Sequence, residues 1–235
     1  MYMNTNHEFH LMQLADSFFP SGMFSMSGGL ESLVIHKKIT NWEQVLNFIK
    51  EQIEFQLVPS DCVVLSITID GVKNDDLEKV ISIDNKYYSM KLAKEVRNSS
   101  VRSGKQVFRC LKYMIGENKN KFINQFESKI ESKETPCTYP VALGITAVCL
   151  ELPIQSVMRI LLYSFSSSVV SAAIRLGVIQ HLDAQKTLMS LAEHVNNIIL
   201  NLTQQKTADD IWQITPLTEI HQMKHEHNES KMFIT

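Results

Sequence analysis

The chain has 235 residues, 44% hydrophobic and 20% charged, with eight glycines and six prolines. That length and apolar content suit one large domain or two small ones with an ample core. The formal net charge is only −2 and no long basic stripe occurs, which leaves nucleic-acid binding without an electrostatic footprint.

Residues 1–10 are polar and lack the apolar segment of a secretory signal, so a cytoplasmic location is expected. Residues 20–31 (PSGMFSMSGGLE) form an unusual loop. Its glycines and serines permit positive φ and leave backbone N–H groups free to meet a ligand or partner, with Phe24 and Met26 as natural anchors. A plainer reading, compatible with the first, is a helix-to-helix connection in which Ser27 caps a helix starting near Gly28. Asn41 can cap the next helix, with Gln44 at the reciprocal third position and Trp42, Val45, Leu46, Ile49 and Ile53 on one apolar stripe. Pro59 is expected to stop that helix, and Ser60 or Asp61 to start another element.

Residues 62–69 (CVVLSITI) are rich in β-branched side chains, so periodicity alone does not separate strand from buried helix. With no second strand to pair with, helix is expected. Residues 71–76 (GVKNDD) form a turn into a short helix. Residues 87–114 read as one long helix, with Leu92, Val96, Val107, Leu111 and Met114 near one face. Ser100, Ser103 and Gly104 make a small-residue patch inside it. A mid-helix glycine costs about 1 kcal/mol against alanine, so another helix should approach closely there.

Residues 117–133 are polar, a solvated helix or connector, and the run 135–140 (TPCTYP) breaks the chain before a second helical half. Pro153 fits the first turn of the following helix. Its residues 160–174 are the most apolar stretch. As a helix they would span about 22 Å against a hydrocarbon layer of about 30 Å, and they are loaded with serine. No membrane span is expected; this reads as the central helix of a bundle, with Ser164, Ser166, Ser167, Ser168 and Ser171 admitting close neighbours. Residues 183–202 form another amphipathic helix, and the tail after Thr207 is more polar and interrupted by Pro216. The fold class expected is all-α, one domain over residues 1–235 with about ten helices, flexible at about 1–8 and 216–235.

The four cysteines, Cys62, Cys110, Cys137 and Cys149, are scattered and read as small hydrophobes in a reducing compartment. No phosphate-cradling loop, nucleophile elbow or HExxH occurs, so the chain is expected not to be an enzyme and to have no catalytic residues. In the tail, His221 and His225 are four apart and would share a helix face with His227 close by, an alternative metal-binding set. Arg97 and Arg175 lie in small or apolar surroundings, where each needs a carboxylate or carbonyl partner. A structural pairing with Glu95 or Glu31, or with a helix C-terminus, is the plain reading.

Together these segments resemble the urease accessory protein UreF family. LMQLADS followed by PSGMFSMSGGLES is similar to its N-terminal signature; Glu95, Arg97, Ser100 and Gly104 match E-x-R-x-x-S-x-x-x-G; YPVALG resembles H-P-V-A-F-G. LLYSFSSSVVSAAIRL is similar to its serine-containing helix ending in arginine, and TPLTEIHQMKHEHNESKMF to its C-terminal pattern. Departures fall at Met23 (for glycine), Tyr139 (for histidine), residues 176–181 including Gln180, Lys224 and Lys231 (for arginine) and Glu229 (for tyrosine). The resemblance implies an all-α homodimer that binds UreD (also called UreH), recruits the GTPase UreG and docks on apo-urease. Nickel and GTP would be handled by the assembled complex, with no intrinsic cofactor. It also implies partner contacts at Ser21, Gly22, Phe24, Ser25, Ser27, Gly29, Glu31, Arg97, Ser100, Gly104 and Arg175, and in the tail at Met223, Lys224, His225, Glu226, Ser230 and Lys231. UreD would take the segment 216–233; UreG recruitment and dimerisation would involve the 20–29 loop and Arg175.

Overall fold

The structure is a computed structural model, and it describes residues 5–116, 120–202, 206–228 and 231–234. Ten α-helices follow in chain order: α1 Thr5–Ala15, α2 Leu30–Ile35, α3 Trp42–Lys73, α4 Leu77–Met90, α5 Lys94–Ile115, α6 Lys121–Glu131, α7 Tyr139–Cys149, α8 Ile154–Arg175, α9 His181–Asn201 and α10 Pro216–His225. Among the described residues there is no strand, and the buried apolar side chains form one core. The all-α bundle expected from the sequence is what the chain adopts.

Two helices, Trp42–Lys73 and Ile154–Arg175, are long and apolar enough to cross a membrane by length and composition, but most of each apolar stretch is buried inside the bundle. α8 is central: it meets α1, α2, α3, α7, α9 and the short 3-10 turn Met23–Ser25. α7 is buried over its first nine residues, Tyr139 to Ala147, and fills the space between α3 and α5.

The approach of α7 to α5 explains Gly104. A Cβ there would stand 2.1 Å from the Cys137 carbonyl oxygen, so only glycine lets the two backbones meet. The loop before α7 is fixed from the other side by Asp84, fully buried on α4. Its carboxylate accepts hydrogen bonds from the Thr135 and Thr138 hydroxyls and from the Cys137 and Thr138 N–H groups, at 2.5 to 3.0 Å.

Two expectations need correction. Pro59 does not stop its helix: α3 continues through it as a π-type segment, Ile53–Cys62. The wider π turn avoids the clash of the proline ring with the carbonyl four residues back, that of Phe55. Ile214 N–H donates to the Phe55 carbonyl at 2.8 Å, and Trp212 N–H donates to the Pro59 carbonyl at 3.2 Å. The segment leading into α10 is thus hydrogen-bonded along the turn that contains the proline.

Residues 87–114 are not one helix. They break at Lys91–Ala93, with Lys91 extended and its side chain buried in an ion pair to Asp61 at 3.2 Å. Arg97 on α5 donates to the Lys91 and Leu92 carbonyls at 2.6 and 2.8 Å, closing the broken end of α4. Leu92, expected on the apolar face, lies in the break and is exposed.

Residues 216–225 lie within the segment expected to be flexible. Pro216–His225 is helical and buries Thr218, His221, Gln222 and His225 against the body.

Smaller details follow the sequence reading. Asn41 Oδ1 accepts from Gln44 N–H at 3.0 Å, and Gln44 returns the bond one residue early, accepting from Thr40 N–H at 2.7 Å. Val45, Ile49 and Ile53 of the stripe are fully buried. All four cysteines are free thiols, Cys62 and Cys137 buried, and burial pushes the Cys149 thiol up to about 11.

Candidate functional site

The 20–31 loop, the start of α5 and the C-terminal segment, far apart in sequence, meet at one place. Gly22 and Gly29 both take positive φ, and the short turn Met23–Ser25 between them packs on α8. Met23 is not among the positive-φ residues, so its backbone asks for no glycine. The Ser168 hydroxyl on α8 lies 2.6 Å from the carbonyl oxygens of both Met23 and Met26 and ties the loop down. Ser25 Oγ donates to the Gly22 carbonyl.

Ser27 is not the cap expected of it: α2 begins at Leu30 with Gly29 at the cap position and no side-chain cap, and the Ser27 Oγ accepts from the Glu31 N–H at 3.4 Å. At Gly29 a Cβ would press to 3.1 Å on Gln222 and Thr218 of α10. α2 and α10 therefore pack through a glycine, and Gln222 adds a donated bond to the Gly28 carbonyl at 3.1 Å.

His225 stands at the centre of this contact, fully buried. Its Nε2 lies 2.9 Å from Glu31 Oε2 and its Nδ1 lies 2.6 Å from Glu95 Oε2. The ring can donate to both carboxylates when it carries a proton on each nitrogen. The glutamates use their remaining capacity on the tail. Glu31 accepts from the Met232 and Phe233 N–H groups at 2.8 and 3.1 Å, and Glu95 accepts from Lys231 Nζ at 2.6 Å. Burial raises the Glu95 carboxyl, but its bonds with Lys231 and His225 outweigh that and hold it below the usual carboxylate range.

Glu226, just past α10, accepts from the Lys94 and Glu95 N–H groups at 2.5 and 3.3 Å. A carboxylate on the free N–H groups opening α5 is favoured by hydrogen bonding and by the helix dipole. Lys231 also donates to the Glu226 carbonyl, and Ile234 N–H donates to the Ser25 carbonyl at 3.0 Å. The Arg175 guanidinium lies 4.2 Å from the Phe233 ring centroid, so α8 reaches the same corner. Of the plain reading's two forms, the helix C-terminus is the one that Arg97 takes, at the end of α4, and Arg175 Nε donates to the Ser171 carbonyl near the end of its own helix. The two glutamates take His225 instead.

Of the sequence-predicted residues, the structure gathers Ser25, Ser27, Gly29, Glu31, Arg175, His225, Glu226 and Lys231. Ser21 and Gly22 lie in the loop just before them. Arg97, Ser100 and Gly104 sit apart: Ser100 Oγ accepts from the Tyr139 N–H at 3.2 Å, and Gly104 admits α7. Met223 and Lys224 point outward from α10. The Phe24 side chain, Glu229 and Ser230 lie outside the described residues.

The alternative metal set is not assembled. His221 and His225 do share a face of α10, but His221 Nδ1 is hydrogen-bonded with Ser32 Oγ at 2.9 Å and His225 is closed between two carboxylates, while His227 is exposed in the turn that follows. Among the described residues, no group of three or more His, Cys, Asp or Glu is placed to hold a metal ion. Burial, followed by the nearby charges of His36, Lys224 and Lys38, holds His221 below the usual imidazole range.

One part of the arrangement had no signal in the sequence. Lys91 Nζ bonds Asp61 and Ser60 at 3.2 Å and Gln213 at 2.8 Å, and Tyr87 donates to Asp61 at 2.7 Å. This buried network joins α3, α4 and the segment leading into α10. A lysine between Met90 and Leu92 gives no hint of it.

The outer side of the C-terminal segment is apolar. Trp212, Ile214, Leu217, Ile220, Met223 and Met232 are each 38–61% exposed. Beside them a cleft of about 400 Å³ runs between this segment and α3, with Phe48 and Phe55 in its lining.

Three signature segments are therefore joined in one buried clamp under an apolar surface. The sequence profile of the UreF family matches residues 39–192. The chain belongs to the UreF family. It is similar over 95% of its length to the urease accessory protein UreF of Trichodesmium erythraeum (strain IMS101), at 29% identity over 94% of that protein. It is also similar to urease accessory protein UreF 2 of Brucella suis (27% identity, 96% of this chain, 90% of the relative). A third relative, the UreF of Bacillus sp. (strain TB-90), shares 25% identity over 98% of this chain and all of its own length. These relatives are named as accessory proteins.

Proposed function

We propose that this chain is a cytoplasmic, non-enzymatic scaffold for assembling the nickel centre of urease. It binds UreD (UreH) through the C-terminal segment, recruits the GTPase UreG and presents both to apo-urease. Nickel and GTP are cargo and fuel of the complex, not groups resident on this chain.

The observation that carries the reading is the two-sided C-terminal segment. Its inner face is fixed by the Glu31–His225–Glu95 clamp, and its outer face exposes Leu217, Ile220 and Met223 to solvent. Apolar residues at this density beside a cleft are what a protein interface requires. UreG is assigned to the adjoining corner, where Arg175, Phe233 and the 20–31 loop meet. A second apolar surface, lined by Phe9, Met12, Phe18 and Phe19 around a groove of about 860 Å³ against α5, is assigned to the homodimer contact.

Co-purification tests the reading. The full chain should retain UreD and UreG, whereas Ile220→Asp/Met223→Asp should lose UreD while remaining helical by circular dichroism. Undiminished UreD capture by that folded double variant would remove the C-terminal assignment.

A further inference from the structure

Further along α5, bordering the groove given to the homodimer contact and sharing Gln106 and Arg109 with it, lies a feature that the clamp does not use. Arg102, Lys105 and Arg109 are exposed, and spacings of three and four residues align them along the helix. Lys133 faces them across a groove of about 750 Å³, whose lining also holds Tyr88, Val101, Ile130 and Pro136 and no acidic residue.

Two neighbouring lysines are matched, and the carboxylates of Glu127 and Glu131 line the next cleft along α5. Lys112 meets Glu127 at 2.5 Å and Lys129 meets Glu134 at 2.6 Å. Among the described residues, no carboxylate stands within ion-pair distance of Arg102, Lys105, Arg109 or Lys133. In a chain of formal net charge −2, four unmatched cations share one groove.

We propose that this groove is a docking site for an acidic amphipathic helix of a protein partner. The charge pattern selects the occupant. Arg102 to Arg109 spreads the positive groups over about 10 Å of helix axis. A single phosphate would instead need its cations gathered at one point. A helix with Glu or Asp at three- and four-residue spacing, lying along α5, would set its carboxylates opposite these cations. The two arginines can each grip a carboxylate through two N–H groups. Val101, Ile130 and Pro136 would receive the apolar side chains between those carboxylates. The site shares no residue with the C-terminal clamp, and only its Gln106 and Arg109 end touches the groove given to the homodimer contact.

Fluorescence anisotropy on the full chain tests it, with a labelled synthetic helix carrying Glu at positions i, i+4, i+7 and i+11 and Leu between them. Arg102→Glu/Lys105→Glu/Arg109→Glu should weaken binding by at least about tenfold, as expected for the loss of several exposed ion pairs. The charge-matched control Lys38→Glu/Lys73→Glu/Lys121→Glu should change it by less than about twofold. If the triple reversal disturbs the helical circular dichroism, Arg102→Gln/Lys105→Gln/Arg109→Gln serves instead and should still weaken binding. Equal weakening by the control set, or no weakening by either groove variant, would overturn the proposal. So would a short DNA duplex or inorganic phosphate that displaces the peptide while a scrambled acidic peptide of the same composition binds equally well.

Discussion

Replacing His225 with alanine tests whether the clamp holds the C-terminal segment. The ring is fully buried, 2.9 Å from Glu31 and 2.6 Å from Glu95, and Glu31 is itself buried. Removing one partner of a buried pair costs about 3–5 kcal/mol, mostly because the other charge is left uncompensated. The lower end applies here. Glu31 keeps the Met232 and Phe233 N–H groups, and Glu95 keeps Lys231 and is partly exposed. For a domain of this size about 3 kcal/mol lowers the melting temperature by about 6–12 °C. The loss should also be local: amide exchange over α10 and the Met232–Phe233 N–H groups should accelerate before that of α7 and α8. Calorimetry with exchange mass spectrometry reads both. A melting point within about 2 °C of the parent, with unchanged exchange over residues 216–233, would show that the clamp does not hold this segment.

Gly104→Ala should be among the most damaging single changes, about 3 kcal/mol or more or loss of soluble protein. Its Cβ would meet the backbone carbonyl of Cys137 at 2.1 Å, in a loop that Asp84 holds against α5; urea denaturation measures it. Ile214→Pro removes the N–H that serves the Phe55 carbonyl and should cost about 1–3 kcal/mol, with faster exchange confined to the segment before α10. Lys91→Met strands Asp61 and should cost about 3–5 kcal/mol, whereas Lys91→Met/Asp61→Leu should recover part of it in the same urea assay. Stability should fall in two stages as pH drops. His221 has a folded pKa below its ordinary 6.5, so the unfolded chain binds more protons and stability declines from about pH 6.5 downward. Glu95, also held below its ordinary 4.5, adds a second decline below about pH 4.5, and the urea midpoint against pH should show both. A flat profile between pH 7 and 5 would contradict the first stage.

The helices were legible because most carry an apolar stripe at helical spacing, and Gly104 was legible as a close-approach position because a mid-helix glycine lacks a local excuse. Pro59 misled because its local rule, that proline ends a helix, holds for regular α geometry, and here the helix widens into a π-type turn around it. Donors from residues 212 and 214 bond that turn from outside, and no window around Pro59 contains them. The break at Lys91–Ala93 was hidden for the same reason: its cause is a buried ion pair to Asp61, thirty residues earlier in the chain. Among the site residues, Glu31, Glu95 and His225 could be picked out from the signature segments one by one. That a single imidazole joins the other two is information about distance in space, which spacing along the chain does not carry.

The packed C-terminal segment also changes how partner binding should work. A tail free in solution would lose backbone and side-chain entropy on docking, of order 1–2 kcal/mol for each residue ordered. Here that ordering is met within the fold, by the clamp, by the capping of α5 through Glu226 and by the Ile214 and Trp212 bonds to α3. The outer row from Trp212 to Met232 is thereby a preformed surface, and affinity for a partner depends on the stability of the inner face. Substitutions at His225 and at Ile220 should weaken the same complex by different routes. The first raises the fraction of chains with the segment undocked; the second leaves it docked and removes a contact.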